Sequence, residues 1–293
     1  VPELPEVEAL VTDLGGRLRG QVVDAFQAVS FAAVKTFDPP LSALSGETVE
    51  GVRRHGKFLD LEIGGLHLVI HLARAGWIRW RDGPPPPPTG KPSRGPLAAR
   101  LTLAAGNGLA AGLGLDITEA GTKKSLAISL VRDPADVPGI ARLGPDPLGP
   151  AFTEEAFAAI LAAAGRAQIK GVLRNQSLIA GVGNAYSDEI LHAARMSPFK
   201  PAAMTAPEAS ALYASLQSTL RDAVARSDGL AASELKREKK SHLQVHGRTG
   251  EPCPVCGDTV RQVTYADSSL QYCPTCQTGG KPLADRVLSR LLK

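Results

Sequence analysis

All four cysteines of the chain fall between positions 253 and 276, as Cys253-Pro-Val-Cys256 and Cys273-Pro-Thr-Cys276 with sixteen residues between the pairs. No other feature constrains the fold as tightly. Each Cys-x-x-Cys knuckle holds two sulfurs on one side of a tetrahedron, and a hairpin over the intervening residues brings the second pair round to close it. Four thiolates leave no open coordination position. The spacing therefore predicts one structural Zn2+ per chain, supplying folding energy to a segment too short for a core of its own. A pair of redox dithiols is the competing reading. A disulfide framework spread through a secreted protein does not fit cysteines confined to one end of 293 residues.

The remainder divides by its periodicity. Over the first 135 residues, short apolar runs alternate with glycines, as in Phe58-Leu59-Asp60-Leu61-Glu62-Ile63, Gly64-Gly65, then Leu66-His67-Leu68-Val69-Ile70-His71-Leu72. This reads as hairpins in a β-rich domain. One helix is expected near the start, where Val7, Leu10, Val11 and Leu14 recur at helical spacing before Gly15-Gly16. The run from Gly83 to Pro96 holds too many prolines to donate ladder hydrogen bonds, and reads as a surface loop or a ligand for a proline-recognition module. Prolines and glycines crowd again from Pro134 to Pro150, which reads as an interdomain linker. Beyond it the pattern is helical. Thr153 can cap a helix with the stripe Phe157, Ile160, Leu161 and Ala164, and Thr205 with Glu208 forms a capping box before Tyr213, Leu216, Leu220 and Val224. The expected boundaries are 1–133 for the β domain, 134–150 for the linker, 151–243 for the helical domain, 244–280 for the zinc module and 281–293 for a tail.

Charge by itself says little, since 33 basic residues against 29 acidic leave only +4. A polyanionic partner must be argued from where the charges lie. Lys236, Arg237, Lys239, Lys240 and Arg248 gather just before the cysteines, beside Glu234 and Glu238. Such a run serves a nucleic acid or is a solvated face. Gly181-Val182-Gly183-Asn184, between two helical stretches, is either an anion-binding turn whose following helix presents its amides, or a tight reversal of packed helices. Lys170 and Arg174 lie close by in sequence. No apolar run reaches the 18 or so residues that span a bilayer, and Glu3, Glu6 and Glu8 stand where a signal peptide would be basic. A cytoplasmic protein without a membrane partner is expected, associated with the nucleoid when bound to DNA.

Three features stand in one order: Pro2-Glu3-Leu4-Pro5-Glu6-Val7-Glu8 at the start, Gly181-Val182-Gly183-Asn184 in the middle, and the four cysteines at the end. Together they closely resemble the formamidopyrimidine-DNA glycosylase and endonuclease VIII family. The resemblance extends to Gly56-Lys57-Phe58-Leu59, His71-Leu72, Leu143-Gly144-Pro145-Asp146-Pro147-Leu148 and Val245-His246-Gly247-Arg248. It implies an α+β chain of several domains: an N-terminal β-sandwich with flanking helices, a helix–two-turn–helix domain and a zinc finger, acting as a monomer on damaged double-stranded or partly open DNA held between domains. It further implies a glycosylase with lyase activity. The imino nitrogen of Pro2 is the nucleophile, Glu3 the acid that protonates the opening sugar ring, and Glu6 its supporting carboxylate. Lys57, His71 and Asn184 grip phosphates, Gly181 and Gly183 shape the turn beside them, and Lys170 is a further phosphate contact. Val1 stands ahead of the nucleophile, and is expected to render an alternative start codon read as methionine and trimmed before proline.

The sequence also departs from the family pattern. Arg74 occupies the position of a methionine that fills the gap left by a flipped base. The second wedge loop aligns with Asp116-Ile117-Thr118-Glu119-Ala120-Gly121 and keeps neither its arginine nor its phenylalanine. Ser268 stands where the finger carries a phosphate-gripping arginine, leaving Arg261 on the opposite strand as its expected substitute. Residues 231–243 are the expected base-capping loop. Without wedge residues, flipping from intact duplex should be less favourable.

Overall fold

The computed structural model describes residues 2–84, 96–106, 112–266 and 268–284. Most of the proline-rich run, Val1 and the last part of the tail fall outside them. The chain divides into two compact units: Val1–Arg142 with Ser227–Leu235, and Leu143–Arg226 with Lys236–Lys293.

The first unit begins with α1 (Leu4–Leu18), followed by β1 (Val23–Ala28), β2 (Val49–His55), β3 (Phe58–Ile63), β4 (Leu66–His71), β5 (Gly76–Asp82), β6 (Leu97–Leu103), β7 (Leu113–Glu119), β8 (Ala127–Val131) and the short α2 (Pro138–Ala141). The strands form two four-stranded antiparallel sheets, ordered β1-β6-β7-β5 and β2-β3-β4-β8. Along β3, Leu59, Leu61 and Ile63 face the core while Phe58, Asp60 and Glu62 take the other face. The core leucines meet Ile78, Leu101, Leu115 and Ile117 of the second sheet, so the two sheets share one apolar interior as a sandwich. Gly64 and Gly65 both take the left-handed conformation that a two-residue hairpin needs.

Helix α1 runs through Gly15-Gly16 to Leu18, one turn beyond the expected stop. Leu14 and Leu18 are fully buried in the sandwich core, and Arg17 pairs with Asp13 one turn back at 2.7 Å. That packing outweighs the cost of about 1 kcal/mol per helical glycine. Residues 227–235 return to this unit from far along the chain. Ala232 and Leu235 join the core, the Trp77 indole donates to the Ala232 carbonyl at 3.0 Å, and the Ala232 amide donates to Asp13 at 3.3 Å. The expected base-capping loop is therefore partly core. From Leu235 it becomes a helix, α7 (Leu235–His242), because no glycine or proline interrupts those eight residues.

The second unit contains α3 (Glu154–Ala164), α4 (Ile169–Arg174), α5 (Asn184–Ala193), α6 (Ala206–Ser227), the hairpin β9 (Arg261–Thr264) and β10 (Ser269–Tyr272), and α8 (Pro274–Thr278). The Thr153 hydroxyl accepts from the Ala156 amide and caps α3. Glu208 accepts from both the amide and the hydroxyl of Thr205, the returning half of the expected box. Leu216 and Leu220 are buried with Ala209, Leu212 and Ala223, flanked by the partly buried Tyr213 and Val224. Residues 143–148 are fixed in place. Gly144 donates to the Gln176 carbonyl, and a Cβ there would lie 2.6 Å from the Leu178 backbone, so only glycine lets the segment close on that turn. Among the described residues no helix is long and apolar enough to cross a membrane.

Candidate functional site

In the first unit, Pro2 is buried and leads directly into the cap of α1. Glu3 is the N-cap: its carboxylate accepts from the Glu6 amide, while Glu6 Oε2 accepts from the Glu3 amide at 2.8 Å. Both side chains are 2 % exposed. The two glutamates are thus structural caps and lie beside Pro2 at once, and the sequence pattern allows either role. Lys57 follows Gly56 in the two-residue turn between β2 and β3, where Gly56 takes a φ of +56°. His71 lies opposite Phe58 in the β3–β4 register, ring centroids 4.6 Å apart.

Burial, and secondarily the Lys57 charge, lower the His71 pKa from 6.5 to about 4. The ring is neutral at physiological pH. An unfolded histidine binds its proton near 6.5, so protons favour the unfolded chain first as the pH falls. Stability is expected to decline from about pH 6.5 towards pH 4 by on the order of 2–3 kcal/mol from this ring. In urea titrations a His71→Gln variant should show a correspondingly smaller difference between pH 7 and pH 4.5.

Arg74 sits exposed in the tight turn between β4 and β5, where Ala73 has a φ of +49° and Gly76 donates to the Leu72 carbonyl at 2.8 Å. The second expected wedge loop is displaced from its sequence register. Asp116–Glu119 is strand, with Asp116 held by Arg100 at 2.7 Å and by Arg81 at 3.4 Å. The loop begins at Ala120, whose amide donates to the Ala75 carbonyl, and contains Lys123 and Lys124. Buried Glu119 closes it by accepting from the Ser125 and Leu126 amides at 2.6 and 2.8 Å.

In the second unit, Gly181 takes a φ of +86° and Gly183 caps α5, whose first residue is Asn184. Gln176, which carries no sequence signal, organises this turn. Its side chain accepts from the Gly181 amide at 3.0 Å and donates to the Val182 carbonyl at 2.7 Å. Asn184 Nδ2 donates to the Ser269 carbonyl at 2.7 Å.

Lys170, expected on a phosphate, is 5 % exposed. Its ammonium donates to Asp188 Oδ1 at 2.6 Å, Ser187 Oγ at 2.7 Å and the Asn184 carbonyl at 3.1 Å. Three internal acceptors take three donors, so the residue joins α4 to α5. Lys170→Met is expected to cost up to about 3 kcal/mol of unfolding free energy by leaving Asp188 Oδ1 without its cation, while Oδ2 keeps the His246 ring and the Gln271 amide. The salt slope of DNA binding should not change, whereas removal of a phosphate contact would lower it by about one.

Helix α5 also carries the finger. Glu189 accepts from the amides of Gln244, Val245 and His246, and Asp188 accepts from His246 Nδ1 at 2.7 Å and the Gln271 amide at 3.2 Å. His192 places Nε2 3.3 Å from Cys253 Sγ. The sulfurs of Cys253, Cys256, Cys273 and Cys276 lie within 4.8 Å of one another. Tetrahedral zinc with bonds near 2.3 Å needs sulfurs about 3.8 Å apart. Burial pushes the Cys273 thiol up and the Cys276 thiol up to about 11, while the Asp258 amide lowers Cys256, and the four-sulfur donor set fits zinc. Arg261, the expected substitute for an arginine at Ser268, stands apart from that position along the hairpin. It pairs with Tyr272 at the base of the hairpin, three residues and roughly 10 Å of strand from the tip.

Family models match along the chain: the formamidopyrimidine-DNA glycosylase N-terminal domain over residues 1–111, its H2TH domain over 143–234, and the zinc finger found in FPG and IleRS over 250–279. A formamidopyrimidine-DNA glycosylase of Moorella thermoacetica is 34 % identical over 272 residues, covering 90 % of this chain and 94 % of its own. A Mycobacterium tuberculosis protein described as an uncharacterized formamidopyrimidine-DNA glycosylase-like protein is 54 % identical over 160 residues, covering 54 % of this chain and 99 % of its own. The crystal structure of the MutM (FPG) protein of Thermus thermophilus matches with a TM-score of 0.76 at 32 % identity, covering 96 % of this chain and all of that one. Lactococcus lactis Fpg in complex with DNA containing an abasic site matches at 0.80 and 28 % identity, covering 94 % and 99 %.

Proposed function

The chain belongs to the formamidopyrimidine-DNA glycosylase family, and from that premise we propose that it excises damaged bases from DNA and cleaves the strand at the resulting abasic site, with the Pro2 imino nitrogen as nucleophile. The observation that carries this reading is the buried Pro2 at the head of α1 beside the two buried carboxyls of Glu3 and Glu6. A terminal secondary amine has a pKa near that of α-amino groups, about 8, so a useful fraction is unprotonated at neutral pH. Its lone pair attacks C1′ as the bond from C1′ to the base breaks, and the base leaves with the electron pair and takes up the proton that the substituted nitrogen gives up. Glu3 gives a proton to the ring oxygen as the sugar opens, leaving an iminium at C1′. The iminium acidifies the 2′ hydrogen, whose removal expels the 3′ phosphate and cuts the strand.

Lys57, His71 and Asn184 hold phosphates around the extruded nucleotide, and the four cysteines hold a structural zinc ion. Extrusion costs a few kcal/mol of stacking, so several backbone contacts are needed to offset it. The chemical class of substrate is an abasic site or an oxidised base. Borohydride reduction of the iminium tests the reading directly. A covalent adduct with abasic DNA is the expected result, and salt-dependent binding without an adduct would make the protein a lesion binder instead.

A further inference from the structure

We propose that Arg54 is a positioning residue that ties the Lys57 turn to the helix led by Pro2, and this rests on the reading of Pro2 and Lys57 given above. Arg54 is the penultimate residue of β2, and its side chain is only 8 % exposed. Its Nε donates to Glu8 Oε2 at 2.6 Å, and its Nη1 donates to the Gly56 carbonyl at 3.2 Å. Glu8 belongs to α1, the helix capped by Glu3 and Glu6. Gly56 is the turn residue whose carbonyl begins the peptide to Lys57. One planar guanidinium thus fixes the distance between the element carrying the nucleophile and the turn carrying the ammonium.

The opposite face of the sheet holds the same turn. Asp60, 1 % exposed, lies 3.0 Å from His55 Nε2 and 3.0 Å from His67 Nδ1. His55 is the residue immediately before Gly56, so consecutive side chains, Arg54 inward and His55 outward, anchor the turn from both sides. Glu8 is partly exposed, so its pairing is worth little as stability. What the contacts supply is placement, and a displacement near 1 Å at a reacting centre can cost about 10²-fold in rate.

A lysine at position 54 can keep the charge pair with Glu8 but lacks the rigid fork that also reaches Gly56. At saturating abasic DNA, single-turnover trapping is expected to fall roughly tenfold or more in Arg54→Met, with Arg54→Lys between it and the parent. DNA affinity should fall no further in either than in Lys57→Met, since the one phosphate contact disturbed is that of Lys57. In a Lys57→Met background, Arg54→Met should add little further loss, because it acts through Lys57. Hydrogen exchange supplies a readout free of catalysis: amide protection at Gly56 and Lys57 should drop in Arg54→Met while that of β3 and β4 is kept. Parental trapping rates in both Arg54 variants, full multiplication of the two losses, or unchanged exchange at the turn would overturn the proposal. A parent that fails to trap would instead overturn the assigned chemistry, and the exchange measurement would still decide the tether.

Discussion

A Pro2→Gly variant is expected to form on the order of 10²-fold less borohydride-trapped adduct than the parent, the scale on which misplacement of a reacting group falls. Its affinity for the same abasic DNA should stay within a few-fold. Glycine retains an amine, so the loss measures what the pyrrolidine ring adds. The ring fixes the dihedral angle that aims the lone pair and makes the nitrogen secondary, so attack gives an iminium directly. Pro2 is buried, and this preorganisation is part of the packed structure. The fold should survive the change, because the cap of α1 is built from Glu3 and Glu6 and its early proline is Pro5. The nitrogen is competent only as a free terminus, since with residue 1 attached it is an amide without a nucleophilic lone pair. The adduct is accordingly expected to have the mass of a chain beginning at Pro2. An adduct retaining Val1, or parental trapping by the glycine variant, would place the nucleophile elsewhere.

What can be read from the sequence is what short-range spacing encodes. The zinc knuckles, the turn around Gly181 and the Thr153 cap each depend on residues a few positions apart, and the structure forms each locally. Readings that need a partner from far along the chain fare differently. Nothing near Lys170 in sequence indicates that Asp188, eighteen residues on, will take its charge once α4 and α5 pack. Gln176 is unremarkable until Gly181 folds back onto it. The return of residues 227–235 to the first unit is set by Trp77 and Asp13, more than 150 and 200 positions away.

Register in β structure fails for a related reason. A strand reveals which residues alternate but not where the following loop begins, so the sequence places the wedge segment at Asp116–Gly121 while β7 continues to Glu119. The correction changes the chemistry at that place. Instead of a loop stripped of cations, Ala120–Ser125 presents Lys123 and Lys124 next to the Arg74 turn, tied to it through Ala120 and Ala75. The loop beside the Arg74 turn thus carries two lysines, of which Lys124 donates from its ammonium to the Glu119 carbonyl. Strand pairing likewise puts Arg261 at the base of the hairpin, opposite Tyr272, rather than beside Ser268.

Loss of the metal is expected to have the second large effect. A Cys273→Ser chain should bind less than one zinc equivalent, and its hairpin should lose hydrogen-exchange protection. The reason is the size of the local core. The apolar cluster around the knuckles comprises Val245, Cys253, Val260 and Cys273 with Cys276 packed against it, so three of its five members are ligands. Isolated zinc fingers draw roughly 10–16 kcal/mol from the ion, far more than two valines supply. The damage should spread along α5, since Glu189 and Asp188 accept hydrogen bonds from residues 244–246, His192 lies against Cys253 and Asn184 donates to Ser269. Carboxylates stripped of those donors favour an opened, hydrated arrangement. Abasic-DNA affinity is therefore expected to weaken by about tenfold or more, because the phosphate contact proposed for Asn184 depends on a side chain that the Ser269 carbonyl of the finger orients. Trapping at saturating DNA should change far less, because Pro2, Glu3 and Lys57 belong to the other compact unit. A zinc-free variant that binds abasic DNA as tightly as the parent would remove the finger and α5 from the DNA-binding surface.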